Sequence, residues 1–141
     1  MSKVDEMVEV LRQWQVLERQ AMNDTAEIME RTTSPLIRVI MEIIRHDSLM
    51  HHRVQQFLID SVAKESVTVT REDIADVWDK LKAHDLMEKK TIQMAQELRK
   101  KAWTPVLKLL LDYLIQEESK HDTLIEQLDG FKKDLARSSG G

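Results

Sequence analysis

Cysteine is absent from the chain. That removes disulfides, thiolate metal sites and cysteine nucleophiles together, and it fits a reducing compartment. Glycine and proline are scarce, three and two residues, so turns are few and long helices can run between them. Neither charge sign dominates. The 21 Lys and Arg are interspersed with 25 Asp and Glu for a formal net charge of −4, which leaves no footprint for nucleic acid or an anionic membrane. No apolar run approaches membrane-spanning length, and the charged opening MSKVDEMVEVLRQ does not read as a secretory leader. The expectation is a soluble cytoplasmic protein with no nucleic-acid or membrane partner.

What remains is a chain of 141 residues, 33% of them charged, long enough for one domain with a buried core. Apolar spacing and stop signals divide it into four amphipathic segments. The first carries Val4, Met7, Leu11, Trp14, Glu18, Ala21, Thr25 and Ile28 at alternating steps of three and four, a heptad seam interrupted by one carboxylate. It stops before TTSP, where Ser34 is a good N-cap and Pro35 a good first helical residue. The second stripe is Ile37, Ile40, Ile44, Asp47, His51, Val54 and Leu58. After an extended connection containing VTVT, Thr70 with Asp73 resembles a capping box and opens a third segment. Its inward stripe is Ile74, Val77, Leu81, His84, Glu88, Thr91, Ala95 and Leu98. Thr104-Pro105 begins the fourth, with Leu107, Leu110, Leu114, Glu117, His121, Leu124 and Leu128 inward. The eight Met and the residues Trp14, Trp78 and Trp103 read as packing, and the chain's last residues, RSSGG over 137–141, as a frayed tail.

Sliding the sequence by seventy aligns its halves without a gap. Leu11 falls on Leu81, Glu18 on Glu88, Glu27 on Glu97, Ser34-Pro35 on Thr104-Pro105, Asp47 on Glu117, His51 on His121 and Leu58 on Leu128. Chemistry matches at turn and seam positions alike, so the expected fold is all-α, a single four-helix bundle over 1–136 made of two repeated hairpins, about 3–62 and 71–136. Seventeen residues separate Glu18 from Pro35 and sixteen separate Pro35 from His51. At 1.5 Å per residue both stand about 25 Å from the turn, and Glu88 and His121 repeat the arithmetic. Docked hairpins would gather these groups in one layer.

Isolated carboxylates in an apolar seam lose several kcal/mol of hydration unless paired or neutralised. One reading pairs Glu18 and Glu88 with Arg, Lys or the histidines. The other supplies a divalent cation, and Glu with His suits iron, manganese or zinc better than calcium or magnesium. Glu118 and His121 stand three apart on one helix face, with Glu88 thirty residues before Glu118, the half-site pattern of a carboxylate-bridged di-metal bundle.

Through QWQVLERQAMNDTAEI, SPLIRVIMEIIRHDSLMHH, TREDIADVWDKLKAHDLMEKKTIQMAQEL and TPVLKLLLDYLIQEESKH, nearly the whole chain resembles the ferritin-like superfamily, and within it small rubrerythrin-like proteins. The resemblance implies one Glu on each of helices one and three, a Glu-x-x-His on each of helices two and four, and redox chemistry with oxygen or peroxide. Glu18, His51, Glu88, Glu118 and His121 match. Ser48 stands where the helix-two Glu would be, and Asp47, four residues before His51, is the nearest substitute. The candidate ligands are therefore Glu18, Asp47, His51, Glu88, Glu118 and His121, holding iron, manganese or zinc at two sites of unequal affinity. His84, one turn before Glu88, is a further candidate, either as a ligand or as a partner to one. Lacking the Cys ligands of a rubredoxin-type domain, such a protein would take electrons from another protein or a small molecule. A two-fold homodimer is the expected assembly. The alternative is a non-catalytic helical interaction protein with a degenerate metal site, for which Ser48 is the chief evidence. A ferritin-like crossover between helices two and three would need roughly twelve extended residues, about the length of Ser61 to Glu72.

Overall fold

The computed structural model describes residues 1–139, with side chains through 137. Four helices account for most of it: α1 Lys3–Arg31, α2 Pro35–Ala63, α3 Arg71–Lys100 and α4 Pro105–Ser139. No strand occurs among the described residues, and VTVT is irregular connection.

Local chemistry sets where the helices begin. The first-turn N–H groups of a helix have no partner within it, and short polar side chains satisfy them. Ser2 accepts from the Asp5 N–H at 3.1 Å, Ser34 from Ile37 at 3.3 Å and Thr104 from Leu107 at 3.1 Å. Thr70 and Asp73 form the reciprocal pair: the Thr70 hydroxyl accepts from the Asp73 N–H at 3.1 Å, and the Asp73 carboxylate from the Thr70 N–H at 3.0 Å. The bond from the Thr70 N–H, with help from the Thr70 side chain, holds the Asp73 carboxyl below its ordinary pKa. Pro35 and Pro105 each open a helix, where their missing N–H costs nothing.

The chain divides into two compact units, Met1–Val67 and a second beginning at Thr68. In the first, α1 packs along α2, with Leu11, Gln15 and Thr25 meeting Ser48, Gln55 and Ile59 in a buried seam. Arg38 donates to the Met29 carbonyl at 2.7 Å and ties the turn. In the second, α3 packs along α4 with Ile74, Glu88 and Ala95 buried, and Arg99 bonds Asp112 at 2.7 Å near the turn.

One polar layer recurs in both units at the seventy-residue offset. In the first, Gln15 donates to the His52 carbonyl at 3.3 Å and to Gln56 Oε1 at 3.1 Å, while Arg19 contacts His52 Nε2 at 3.0 Å. The corresponding residues of the second unit are Asp85, Lys89 and Asp122. Lys89 bonds Asp85 at 2.8 Å and pairs with Asp122 at 3.5 Å.

Several residues expected inward are exposed. Met7, Ile28, Ile37, Ile44, Val54, Leu58, Val77, Leu98, Leu107, Leu114 and Leu124 all retain large solvent-accessible fractions. Two packed helices bury only a narrow strip of each other, whereas an amphipathic stripe spans 100° or more; Leu11 and Thr25 lie on the covered strip, and Met7, Trp14 and Ile28 flank it. Each hairpin thus presents a second apolar face. Packing was also expected of the tryptophans, but Trp14 is 50% and Trp103 82% exposed. Trp78 is half-buried, with Lys132 Nζ 4.5 Å from its ring centroid.

The connection is shorter than a ferritin-like crossover would need. Helix α2 continues through Ala63 and α3 starts at Arg71, leaving residues 64–70, whose extended reach is roughly 25 Å. A helix as long as α2 measures about 43 Å, so this connection cannot run the length of one. The expected tail also differs. Helix α4 extends through Ser139, Arg137 pairs with Asp134, and only the last two residues of that tail lie outside the described ones. No described helix is long and apolar enough to cross a membrane.

Candidate metal centre

Glu88 lies on the face of α3 turned toward α4, and its side chain is only 6% exposed. Nearly five turns from the α3 start and more than three from its end, it has no helix end within reach to offset its charge. Its neighbours supply the compensation. On α3 itself, His84 stands one turn earlier and places Nε2 2.7 Å from Glu88 Oε1. From α4, His121 places Nδ1 3.3 Å from the same oxygen. The second oxygen, Oε2, is buried without a hydrogen-bond partner.

Glu118 completes the group. Being three residues before His121 puts the two side chains on one face of α4, and ligand atoms of Glu88, Glu118 and His121 all lie within 4.8 Å of one another. Burial grades outward, from buried Glu88 through half-buried Glu118 to exposed His121. Two carboxylates and an imidazole at this spacing are a donor set for a borderline divalent cation. The orphaned Glu88 oxygen has the chemistry such an ion requires.

The corresponding place in the first unit is less complete. Glu18 and His51 come together, with Glu18 Oε2 3.1 Å from His51 Nδ1, although that oxygen is buried and lacks hydrogen-bond alignment. Ser48 is buried in the seam at the repeat position of Glu118. Asp47 is half-buried beside it. No third donor joins Glu18 and His51 among the described residues.

Other residues matched by the repeat or rich in nitrogen have ordinary roles. Glu27 is exposed, Glu97 pairs with Lys100 at 3.1 Å, and Glu117 pairs with Lys120 at 2.9 Å. His46 is exposed beside a shallow pocket with Met22, Arg45 and Leu49, and His52 is engaged by Arg19.

Sequence reading passed over Asp85 and Asp122, which lie on facing helices next to the donor group. A hydrogen bond between them, with help from Lys89, holds the Asp85 carboxyl below its ordinary pKa. The same bond, together with burial, pushes Asp122 up. The Lys89 ammonium is raised by its bond to Asp85. The available signal was position: Asp85 is three residues before Glu88 and therefore on the same face. Gln55 was also missed; both polar atoms of its buried side chain lack partners.

Comparison with protein-family models, curated proteins and solved structures finds no match for the chain.

Proposed function

We propose that this is a metal-binding helical protein of ferritin-like type, in which Glu88, Glu118 and His121 hold a transition-metal ion. The observation carrying the reading is the convergence of these three donors within 4.8 Å around a buried carboxylate with one unpartnered oxygen. Iron, manganese and zinc suit the set. A bound ion would supply Lewis acidity or, for iron or manganese, electron exchange with oxygen or peroxide. In this chain Glu88 would contribute the buried anionic ligand, Glu118 a second carboxylate, and His121 the imidazole nearest solvent.

The finer reading places the two hairpins in one four-helix bundle, their second apolar faces covering each other. The incomplete Glu18 and His51 pair would then form a second, weaker metal position. A ferritin-like crossover within one chain would need a longer connection than residues 64–70 supply.

A second reading, a non-catalytic interaction protein, draws on Ser48 and on the exposed apolar faces. Metal analysis of protein purified without chelators separates the two. A Glu118→Ala/His121→Ala double variant should stay helical and lose most bound metal. Unchanged metal content in that variant refutes the ligand assignment, and a parent that binds none favours the interaction reading.

A further inference from the structure

We infer that His84 is a positioning residue for the metal centre, fixing Glu88 so that its free oxygen is presented to the ion; the inference rests on the metal-binding reading above. The His84 contact to Glu88 Oε1, at 2.7 Å, is shorter than the 3.3 Å contact from His121. Together they occupy Oε1 and leave Oε2 buried and unpartnered. An oxygen already receiving two donors is a poor metal ligand, so Oε2 is the one available to a cation. The two imidazoles then have different tasks. His121 belongs to the group of three donors and would offer its imidazole to a bound ion. His84 lies outside that group and remains the partner of Oε1, one helical turn away on the same element.

Divergence between the halves points the same way. The repeat position of Glu118 is Ser48, and the repeat position of His84 is Trp14. The hairpin with the full donor set has the anchoring imidazole; the hairpin with the incomplete set has neither. Among the described residues, the ion-pair partner of Glu18 is His51. Imidazole or carboxylate partners that orient a metal ligand typically contribute 10- to 100-fold in affinity, by fixing the ligand and tuning its basicity.

His84 is 53% exposed, so shortening it opens no core cavity. The test is a cobalt(II) titration followed by visible absorption, with zinc(II) affinity from chelator competition, on the parent, His84→Ala and His84→Gln. His84→Ala should bind about 10- to 100-fold more weakly with the parent's cobalt spectrum, because the ligands are unchanged. His84→Gln should recover most of the affinity, since an amide N–H can still donate to Oε1. Metal-free melting temperatures should stay close to the parent's. Parent-like affinity in His84→Ala overturns the inference. So does a changed cobalt spectrum with Gln as weak as Ala, which would make His84 a ligand. A parent that takes up no cobalt defeats the metal-binding reading itself, a result distinct from either.

Discussion

Replacing Glu88 by Gln tests whether its burial serves an ion. The two side chains have nearly the same shape, so packing in the α3–α4 seam is retained. Gln keeps an oxygen to accept from His84, while its amide nitrogen takes the place of Oε2, which has no partner now. A buried unpaired polar group costs about 1–3 kcal/mol whether donor or acceptor, and that cost largely cancels between parent and variant. The lost attraction to the imidazoles is offset by relief from burying a carboxylate charge, itself worth several kcal/mol. Without metal, the two proteins should therefore agree in stability to within about 1 kcal/mol, with the variant equal or slightly better. With metal they should part. At a free concentration 100 times Kd, an ion that binds only the folded state adds about 2.7 kcal/mol, roughly 10 °C in Tm for a chain of this size. An amide nitrogen in the place of Oε2 offers the ion no lone pair, and an amide oxygen turned toward it is a far weaker ligand than a carboxylate, so the variant should lose most of that gain. Circular dichroism melts in chelator and in excess zinc(II) measure both differences. Equal metal-induced shifts in parent and Glu88→Gln would refute the link between this carboxylate and metal.

Ser48→Glu rebuilds the Glu-x-x-His spacing on α2 but places a carboxylate at a buried position near Glu18; it should lower Tm without metal and raise metal content above the parent's. Unchanged content would mean that α2 contributes no carboxylate ligand. Asp122→Asn should raise Tm at neutral pH, because it removes a charge beside Asp85 while keeping a hydrogen-bond donor. The Asp122 pKa is raised in the fold, so its stabilising protonated form is fully present below the ordinary Asp pKa and lost as pH rises through the folded value; the variant's advantage should vanish in acid, and a pH-independent gain would contradict this. Thr70→Ala removes one half of the capping box and should cost about 1 kcal/mol by urea denaturation, returning the Asp73 carboxyl toward its ordinary pKa by NMR titration.

Helix starts were legible in the sequence because they depend on contacts spanning three residues. Ser34, Thr70 and Thr104 each meet an N–H three positions on, and the two prolines admit few alternatives. Nothing in AKESV stops a helix as Gly or Pro would; α2 runs through Ala63, and residues 64–70 are fewer than the roughly twelve that a ferritin-like crossover would need. The depth of Glu88 also followed from spacing, since it shares a heptad seam with Leu81 and Ala95. Which flank of that seam would be covered did not follow. Periodicity marks a face but does not identify what packs against it, so Trp14, Ile44 and Leu114 looked buried although α1–α2 and α3–α4 packing leaves them exposed. The Asp85, Lys89 and Asp122 layer escaped notice for a related reason: a search for apolar stripes passes over polar residues that complete a seam through ion pairs.

The repeat helps separate what the hairpin needs from what the candidate site needs. Positions whose chemistry persists across the seventy-residue offset include Leu11 with Leu81 in the seam and Ser34-Pro35 with Thr104-Pro105 at the turn; a helical hairpin requires these whatever it binds. Glu18 with Glu88 and His51 with His121 persist as well, yet each hairpin would be easier to pack with apolar residues at the carboxylate positions. Their partners have diverged. At the seventy-residue offset Trp14 falls on His84, Gln15 on Asp85, Ser48 on Glu118 and His52 on Asp122, all within about one helical turn of a matched carboxylate or imidazole. If the acids were merely tolerated, either hairpin could have discarded them; if both hairpins did the same chemistry, their surroundings would be expected to match. On the proposed metal-binding reading, retained acids with unlike surroundings correspond to two unequal positions, the Glu88 side gripping an ion and the Glu18 side held chiefly by its histidine.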